Sequence, residues 1–460
     1  MTHQNEVLTA AQMRAAEDAA TAGGISIEEL MRRAGEGAAD WVWRIAAGHA
    51  VTVLCGPGNN GGDGYVLAEA IRRRGGAARV VASMEPTTDA ARAARAAYRG
   101  EIVAPEDCHG AVLVDCLFGT GLKRPLAAEL VALLADLAKA HHRVVAVDLP
   151  SGVATDTGEV LQPGLPQFDA TLALGAWKPA HWLMPAMALM GERRLVEIGI
   201  PPSVGAAQLI ERPRLTSPER DAHKYTRGLV LVVAGKLAGA SLMACEGAMR
   251  AGAGAVRLAG KVPPGLPPDV IVRGEPLAQQ LADKRTNAVL IGPGLGRDGD
   301  ARRCLGEVLG AGRPTVVDAD ALTLLEPDSI TAPSILTPHY GEMSSLLKSF
   351  GIEGDTKPQR VLALAKAARA VVIAKGPDTV IAAPEGRLAY APSPTSWLSV
   401  AGTGDVLAGI AASRLAATGD PFRAACEAVW LHGEAARLAG PAFLASDLAA
   451  RVSAAVAAAL

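Results

Sequence analysis

Short apolar runs alternate with helical spacing over the first two hundred residues. Val51–Cys55, Ala111–Cys116, Arg143–Asp148 and Thr171–Leu174 read as buried strands, each closed by turn residues. Asp63–Arg74 and Leu126–Ala140 read as helices between them, and Ala10–Thr21 and Ser26–Ala47 as two more ahead of the first strand. This alternation predicts a parallel sheet covered on both faces. From about Gly199 to Arg227 the periodicity lapses into prolines and charges, which is linker composition. Alternation restarts at Leu229–Ala234 and ends in Phe443–Leu460, where Asp447 and Arg451 interrupt an apolar stretch and suit an amphipathic packing helix. A boundary near residues 210–220 follows, with two unlike three-layer α/β domains over 1–212 and 213–460.

Composition narrows the class. At about 150 residues per domain, 460 residues allow two or three domains. With 50% hydrophobic and 20% charged residues the chain is not disordered, and 3% aromatics means aliphatic cores. Lys+Arg of 45 against Asp+Glu of 47 argues against a nucleic-acid partner. Only 11 of those cations are lysines, so a lysine beside a glycine-rich segment carries information. Six cysteines lack CxxC or metal-ligand spacing, the N-terminus does not read as a secretory signal, and no uncharged apolar stretch reaches the roughly 18 residues of a membrane span. A cytoplasmic protein without a membrane partner is expected. His141-His142 reads as a solvated helix end, Arg72–Arg74 as a helix-terminal charge run, and Cys55 and Cys116 as small core residues.

Three strand ends carry the chemistry of the first half. In Cys55-Gly-Pro-Gly-Asn59-Asn60-Gly61-Gly62-Asp63-Gly a strand gives way to a glycine-rich turn and a helix, a start that attracts anions. Asp115-Cys-Leu-Phe-Gly119-Thr120-Gly121-Leu122-Lys123-Arg124-Pro125 and Asp148-Leu-Pro-Ser151-Gly each place an acid at the end of a strand. Ligands of open α/β sheets bind outside the carboxyl ends of the strands, so these loops are expected to converge. Any one acid alone reads more readily as a helix cap, and it is the convergence of three loops that speaks against capping for the set.

CGPGNNGGDGYVLA, DCLFGTGLKRP, VDLPSG, GAWKP and the Leu30-Met-Arg-Arg-Ala-Gly35 helix resemble the N-terminal epimerase domain of the bifunctional NAD(P)H-hydrate repair enzymes, a Rossmann-like domain. The resemblance implies interconversion of the R and S epimers of hydrated NADH and NADPH. It places Asn59, Asn60, Gly61, Gly62, Asp63 and Gly119, Thr120, Gly121, Leu122, Lys123, Arg124, Pro125 along the hydrated dinucleotide. It gives a potassium ion to Asn60, Asp115 and Ser151, oxygen ligands of the kind hard cations prefer. Asp148 would contact substrate and act as the acid/base at the carbinol carbon. Lys178, before a proline, reads either as an electrostatic aid or as a surface lysine.

The second half carries GPGLG over Gly292–Gly296, the acids of Val317-Asp318-Ala-Asp320, Thr337-Pro-His339-Tyr-Gly-Glu342, and Ala401-Gly402-Thr403-Gly404-Asp405. Bare amides at a helix start make an anion hole, and an aspartate in the first turn can take a proton from an alcohol, the combination needed for phosphoryl transfer. A small-residue helix start with no ligand is the plain alternative.

AGTGDVLAG resembles the ribokinase-like kinases. With DAHK, GAMRAGAG, GPGLG, VVDADAL, LTPHYGE and KGPDT it resembles the C-terminal dehydratase domain of the same repair family. That implies ADP-dependent phosphorylation of the C6 hydroxyl of the S hydrate, loss of phosphate and return of the ring double bond. Asp405 would be the base. Lys375, Gly376, Pro377, Asp378, Thr379, Gly402, Thr403 and Gly404 would hold the nucleotide and the transferring group, and Ala253, Gly296, His339 and Asp405 the hydrate. Magnesium is expected with the phosphates, with Glu342 ordering it through water; His339 reads equally as a core histidine. Tyr340 and Tyr225 depart from the usual small residues, and the contacts of Lys236 and Ser241 stay open. A homo-oligomer acting on NADHX and NADPHX with ADP is expected. The alternatives are a vitamin or sugar kinase fused to a nucleotide-binding domain, and a non-enzymatic binding protein.

Overall fold

The computed structural model describes residues 3–392 and 395–460, and the chain divides after Gln208 into two units. In the first unit, α1 (Ala10–Ala22) starts at Thr9, whose hydroxyl accepts from the Gln12 amide while the Gln12 side chain accepts from the Thr9 N–H. Ser26 caps α2 (Ile27–Ala46) with its hydroxyl accepting from the Glu29 N–H. The strands are β2 (Val51–Cys55), β3 (Ala78–Ala82), β4 (Glu101–Ile102), β5 (Gly110–Cys116), β6 (His141–Val147), β7 (Ala170–Leu174) and β8 (Glu192–Val196). All pair in parallel in the order β4-β3-β2-β5-β6-β7-β8. Order reverses on either side of β2, the Rossmann arrangement, so the crevice lies at the carboxyl ends of β2 and β5.

The glycine-rich run behaves differently from a loop. Helix α3 begins at Asn59 and runs to Arg73, so Gly61, Gly62 and Gly64 are helical residues. Their role is closeness. A Cβ on Gly61 would fall 1.9 Å from the Gly56 oxygen, one on Gly62 2.6 Å from Met31 Sδ, and one on Gly64 2.8 Å from Cys55 Sγ. Gly35 of α2 does the same from the other side, 2.7 Å from the Asp63 oxygen. Large side chains at these positions would lift the first turn of α3 off the sheet.

His141-His142 is a correction: it opens β6 and does not end a helix. The preceding helix α5 (Ala128–Lys139) has already stopped. His141 is buried, bonded at Nδ1 to Leu137 O and at Nε2 to Thr52 Oγ1. Two polar residues heading a strand gave no periodic signal to separate them from the helix. Arg72 and Arg73 do end α3 and pair with Glu69, and Cys55 and Cys116 are buried thiols that burial pushes up from the ordinary range.

The second unit, from Leu209, has the parallel strands β10 (Leu229–Val233), β11 (Ala255–Ala259), β12 (Ile271–Val272), β13 (Thr286–Ile291), β14 (Thr315–Val317), β15 (Ser334–Leu336) and β16 (Val371–Ala374). The antiparallel β17 (Val380–Ala382) and β18 (Leu388–Tyr390) extend the β16 side. Helices α6 (Ala238–Arg250), α12 (Thr403–Thr418), α13 (Pro421–Ala439) and α14 (Ala445–Ala459) share one aliphatic core with the sheet. Helix α12 is buried around its circumference, as a central helix must be. It meets α6 backbone to backbone: a Cβ on Gly409 would lie 2.1 Å from Ala244 O, and one on Gly247 2.5 Å from Val406 O. None of the helices among the described residues is long and apolar enough to cross a membrane.

Candidate active sites

In the first unit a cleft of about 510 Å³ opens at the carboxyl ends of β2, β5 and β6. Asn59, Asn60, Asp63, Gly119, Thr120, Gly121, Leu122 and Asp148 line it, so the three strand-end loops converge. Gly61 and Gly62 are buried beneath its floor, and Lys123, Arg124 and Pro125 are exposed residues that do not line it.

Asp148 directly follows β6 with φ +66, a strained backbone for a residue other than glycine. The surroundings over-determine it. Its Oδ2 accepts from the Thr120 N–H and hydroxyl, both at 2.7 Å, and its Oδ1 from Lys178 Nζ at 2.6 Å. Its own carbonyl accepts from His181 Nε2 at 2.8 Å. His181 Nδ1 accepts from the Lys178 N–H, so the ring is neutral with its proton on Nε2, and burial lowers its pKa to about 3. Burial works against the Asp148 carboxylate, but the Lys178 charge and the Lys178 and Thr120 hydrogen bonds outweigh it and hold the group below the usual range.

Lys178 is therefore not a surface lysine; its side chain has no exposed surface, and Nζ also donates to Leu174 O. Its role is open in the sequence because the carboxylate it meets, Asp148, lies 30 residues away along the chain. Arg14, Glu17 and Asp18 of α1 also line the cleft and were missed. They sit on one face of a helix without a motif, so only the Arg14-to-Asp18 helical spacing marked them.

Behind the cleft, Asp115 is fully buried. Its carboxylate accepts from Ser151 Oγ at 2.7 Å, Ser151 N at 2.9 Å and Leu117 N at 3.1 Å, while burial raises its pKa to about 6. In the cleft wall near Gly119, both amide atoms of Asn60 are buried without a hydrogen-bond partner. A buried amide left unpaired is costly, and an oxygen-seeking cation would satisfy its Oδ1. Asn60, Ser151 and Asp115 thus fit a potassium ion as a donor set of oxygens.

In the second unit, Lys375 follows β16 and its Nζ donates to Asp318 Oδ1 at 2.9 Å, the same oxygen that accepts from the Thr337 hydroxyl at 2.5 Å. Burial weakens the Lys375 charge, but Asp318, Glu342 and Asp405 outweigh it and raise the pKa. Asp405 stands in the first turn of α12. Burial and the neighbouring Asp318 carboxylate raise its pKa to about 6, against Lys375. Gly402, at φ +93, turns the chain into the helix, and a Cβ on Gly404 would lie 3.3 Å from Lys375 Nζ. So the glycine amides, Lys375 and Asp405 come together. Thr403 is buried, its hydroxyl donating to Leu398 O and Val400 O, so it braces the turn.

Other expected residues are placed as follows. Gly376 and Pro377 are exposed beyond Lys375, and Thr379 Oγ1 donates back to Gly376 O at 2.9 Å. Asp378 is paired to Lys357 at 2.6 Å. Gly296 donates to Asp320 Oδ2 at 2.9 Å, with Arg297 on the other oxygen. Ala253 lies at the turn after α6, partly buried against the core. His339 is not a core histidine: its side chain is 59% exposed, and Nδ1 accepts from the Gly341 N–H at the start of α10 (Tyr340–Ser349). Glu342 returns a bond to the His339 N–H at 2.9 Å, so that carboxylate is engaged in the cap. Lys236 pairs with Asp298, Ser241 Oγ accepts from Gly235 N at 3.2 Å, Tyr340 is exposed, and Tyr225 lies under Lys224 and Arg285. Among the described residues no three His, Cys, Asp or Glu side chains form a metal cluster.

Residues 230–457 match the family described as NAD(P)H-hydrate dehydratase, and residues 27–180 the family described as YjeF-related protein N-terminus. The bifunctional NAD(P)H-hydrate repair enzyme of Synechocystis is 32% identical, covering 94% of this chain and 90% of its own. That of Coxiella burnetii is 34% identical over 92% and 93%. An ADP/ATP-dependent NAD(P)H-hydrate dehydratase from Bacillus subtilis, crystallised with ATP and Mg2+, is 30% identical with a TM-score of 0.47, covering 54% of this chain and 95% of that one. Two unlike α/β domains in one chain, each matched by its own family and both spanned by full-length relatives, place this protein among the bifunctional NAD(P)H-hydrate repair enzymes.

Proposed function

We propose that the chain repairs hydrated nicotinamide dinucleotides: the first unit epimerises R- and S-NAD(P)HX, and the second dehydrates the S form with ADP, giving NAD(P)H, AMP and phosphate. The observation that carries it is that each unit sets an aspartate beside a lysine at a ligand-facing element end, Asp148 bonded to the buried Lys178 in the first and Asp405 beside Lys375 in the second. Asp148 is kept ionised by Lys178, ready to accept a proton at the carbinol centre. Asp405, with a pKa of about 6, is mostly ionised near neutrality yet basic enough to take the C6 hydroxyl proton.

In the first unit, the backbone N–H groups opening α3 hold the pyrophosphate, and the Gly119–Leu122 turn covers the ring. Asn60, Asp115 and Ser151 would hold potassium, which would supply positive charge toward the anionic substrate. In the second, Asp405 takes the hydroxyl proton as the oxygen attacks the terminal phosphorus of ADP, and AMP leaves. The Gly402–Gly404 amides and Lys375 steady the migrating phosphoryl group. Phosphate then departs with the C–O bond pair, and loss of a ring proton restores the double bond. Gly376, Pro377, Asp378 and Thr379 would border the nucleotide, and Ala253, Gly296 and His339 the hydrate. Magnesium would arrive with the phosphates. A cytoplasmic homo-oligomer is part of this reading.

Mixed-epimer hydrate incubated with ADP, and separately with ATP, tests it. Wild type should consume both epimers with release of phosphate. Asp148→Asn should stop near the S fraction. Accumulation of a stable phosphorylated alcohol would instead mark a small-molecule kinase.

A further inference from the structure

Asp63 stands apart from the other acids of the first unit. It lies in the first turn of α3, is 7% exposed and lines the cleft. Among the described residues, its carboxyl makes no hydrogen bond, whereas Asp148 and Asp115 accept several each. Buried carboxyls are nearly always hydrogen-bonded, so one left open toward a ligand cleft awaits a partner that comes with the ligand. The position is rigid: Gly35 and Gly64 seat the turn against α2 and the sheet.

Asp148 faces the same cleft. A Cβ on Gly119 would lie 2.7 Å from Asp148 Oδ2 and 3.2 Å from Asn60 Cγ, and Asn60 shares the α3 face with Asp63 three residues on. The two carboxyls are held in opposite states. Burial, then the charges of Asp148 and Glu17, push Asp63 well above the carboxylate range against Lys178, and the flanking groups on β2 and β5 are the neutral thiols of Cys55 and Cys116. A pair whose surroundings drive its members apart is an acid matched to a base.

We propose that Asp63 is the second catalytic carboxyl of the epimerase, donating a proton to the substrate hydroxyl while Asp148 accepts one from water on the other ring face. This rests on the reading of the first unit as an epimerase. The Asp63 proton passes to the C6 hydroxyl oxygen, and the C6–O bond breaks with its electron pair leaving on water. The ring nitrogen lone pair forms the C6=N bond, giving an iminium cation beside two carboxylates. A second water adds its oxygen to the opposite face of C6, and the C=N electron pair returns to nitrogen. Asp148 takes the surplus proton from that oxygen. Asp63 is then ionised and Asp148 protonated, and proton exchange through solvent resets them. By microscopic reversibility the opposite epimer returns along the same steps, starting from the minor form in which proton exchange through solvent has left Asp63 ionised and Asp148 protonated.

The test uses the full-length protein in 18O-labelled water. Each inversion by wild type should introduce one solvent oxygen at C6. Inversion without label overturns the proposal while leaving the epimerase reading intact; absence of inversion in wild type would remove that reading itself. Asp63→Asn should lower the epimerisation kcat by about 100-fold or more, with hydrate affinity held within about threefold, and Asp63→Glu should recover part of the rate. Dehydration of the S epimer by the same variant checks that the chain is folded, and where it is not, the label measurement on wild type decides. An unchanged kcat in Asp63→Asn, or a loss confined to affinity, also overturns the proposal.

Discussion

Lys178 Nζ and Asp148 Oδ1 lie 2.6 Å apart with the lysine side chain wholly buried, so the acid at the centre of the first cleft is held by a cation that water does not reach. Such a pair is a poor source of net stability but a strict one to break, since each charge is expensive without the other.

Replacing the cation is therefore the sharpest perturbation of this site. Lys178→Met should cost about 3–5 kcal/mol, read by urea unfolding at pH 7. The pH slope should also invert. In wild type the depressed Asp148 pKa adds stability above the unfolded value of about 3.9, lost as pH falls through the folded value. In Lys178→Met the largest opposing charge is gone and burial outweighs the Thr120 hydrogen bonds that remain, raising that pKa, so stability should fall as pH climbs above about 4. An unchanged slope would separate Asp148 from the pair.

The dehydratase should report the ionisation of Asp405 directly. A base with a pKa of about 6 gives a rate that rises with pH through that value and levels above it. Asp405→Asn should abolish dehydration. Because the raised pKa means ionisation disfavours the fold, stability falls as pH rises from about 3.9 to about 6, and Asp405→Asn should hold or raise Tm at pH 8. A variant that is both inactive and several degrees less stable would mark a structural aspartate.

Glycine substitutions at the start of α12 should separate folding from catalysis. Gly402→Ala meets φ +93 and Ala445 Cβ at 3.0 Å, so about 1–2 kcal/mol of stability should go. Gly404→Ala meets only Lys375 Nζ, at 3.3 Å, a contact that a few tenths of an ångström relieve, so it should fold normally. Its kcat should nonetheless fall about tenfold or more as the methyl crowds the phosphoryl position. Calorimetry and steady-state rates distinguish the two.

Removing potassium, with a bulky organic cation in its place, should slow epimerisation and spare the chemistry of the second unit. Asn60→Ala should raise the potassium concentration for half-activation by about tenfold. Its partnerless amide makes it the donor most dependent on an ion. Equal epimerase rates in both salts would exclude the assignment.

How much the sequence disclosed depended on chain distance. The Gly58–Asp63 run and the acids at the ends of β5 and β6 announce themselves because each is local to one strand end, and parallel-sheet topology brings those ends to one side. Lys178 could not be read the same way: its charge is met by Asp148, 30 residues away, and a lysine before proline looks the same on a surface. The helical state of Gly61 and Gly62 was hidden for a related reason, since glycine signals a turn until the atoms crowding its missing side chain are seen. His141 was misread because a buried strand start bonded to Thr52, 89 residues away, leaves no periodic trace.

The concealment of Lys178 also makes it a natural gauge of opening. Acylating and reductively alkylating reagents need a free, solvated amine, so they should mark Lys139, with 77% of its side chain exposed, at once. They should reach Lys178 only as often as the first unit breathes. The labelling rate of that one amine, followed by mass spectrometry as dinucleotide is added, would then read ligand protection of the cleft without any turnover.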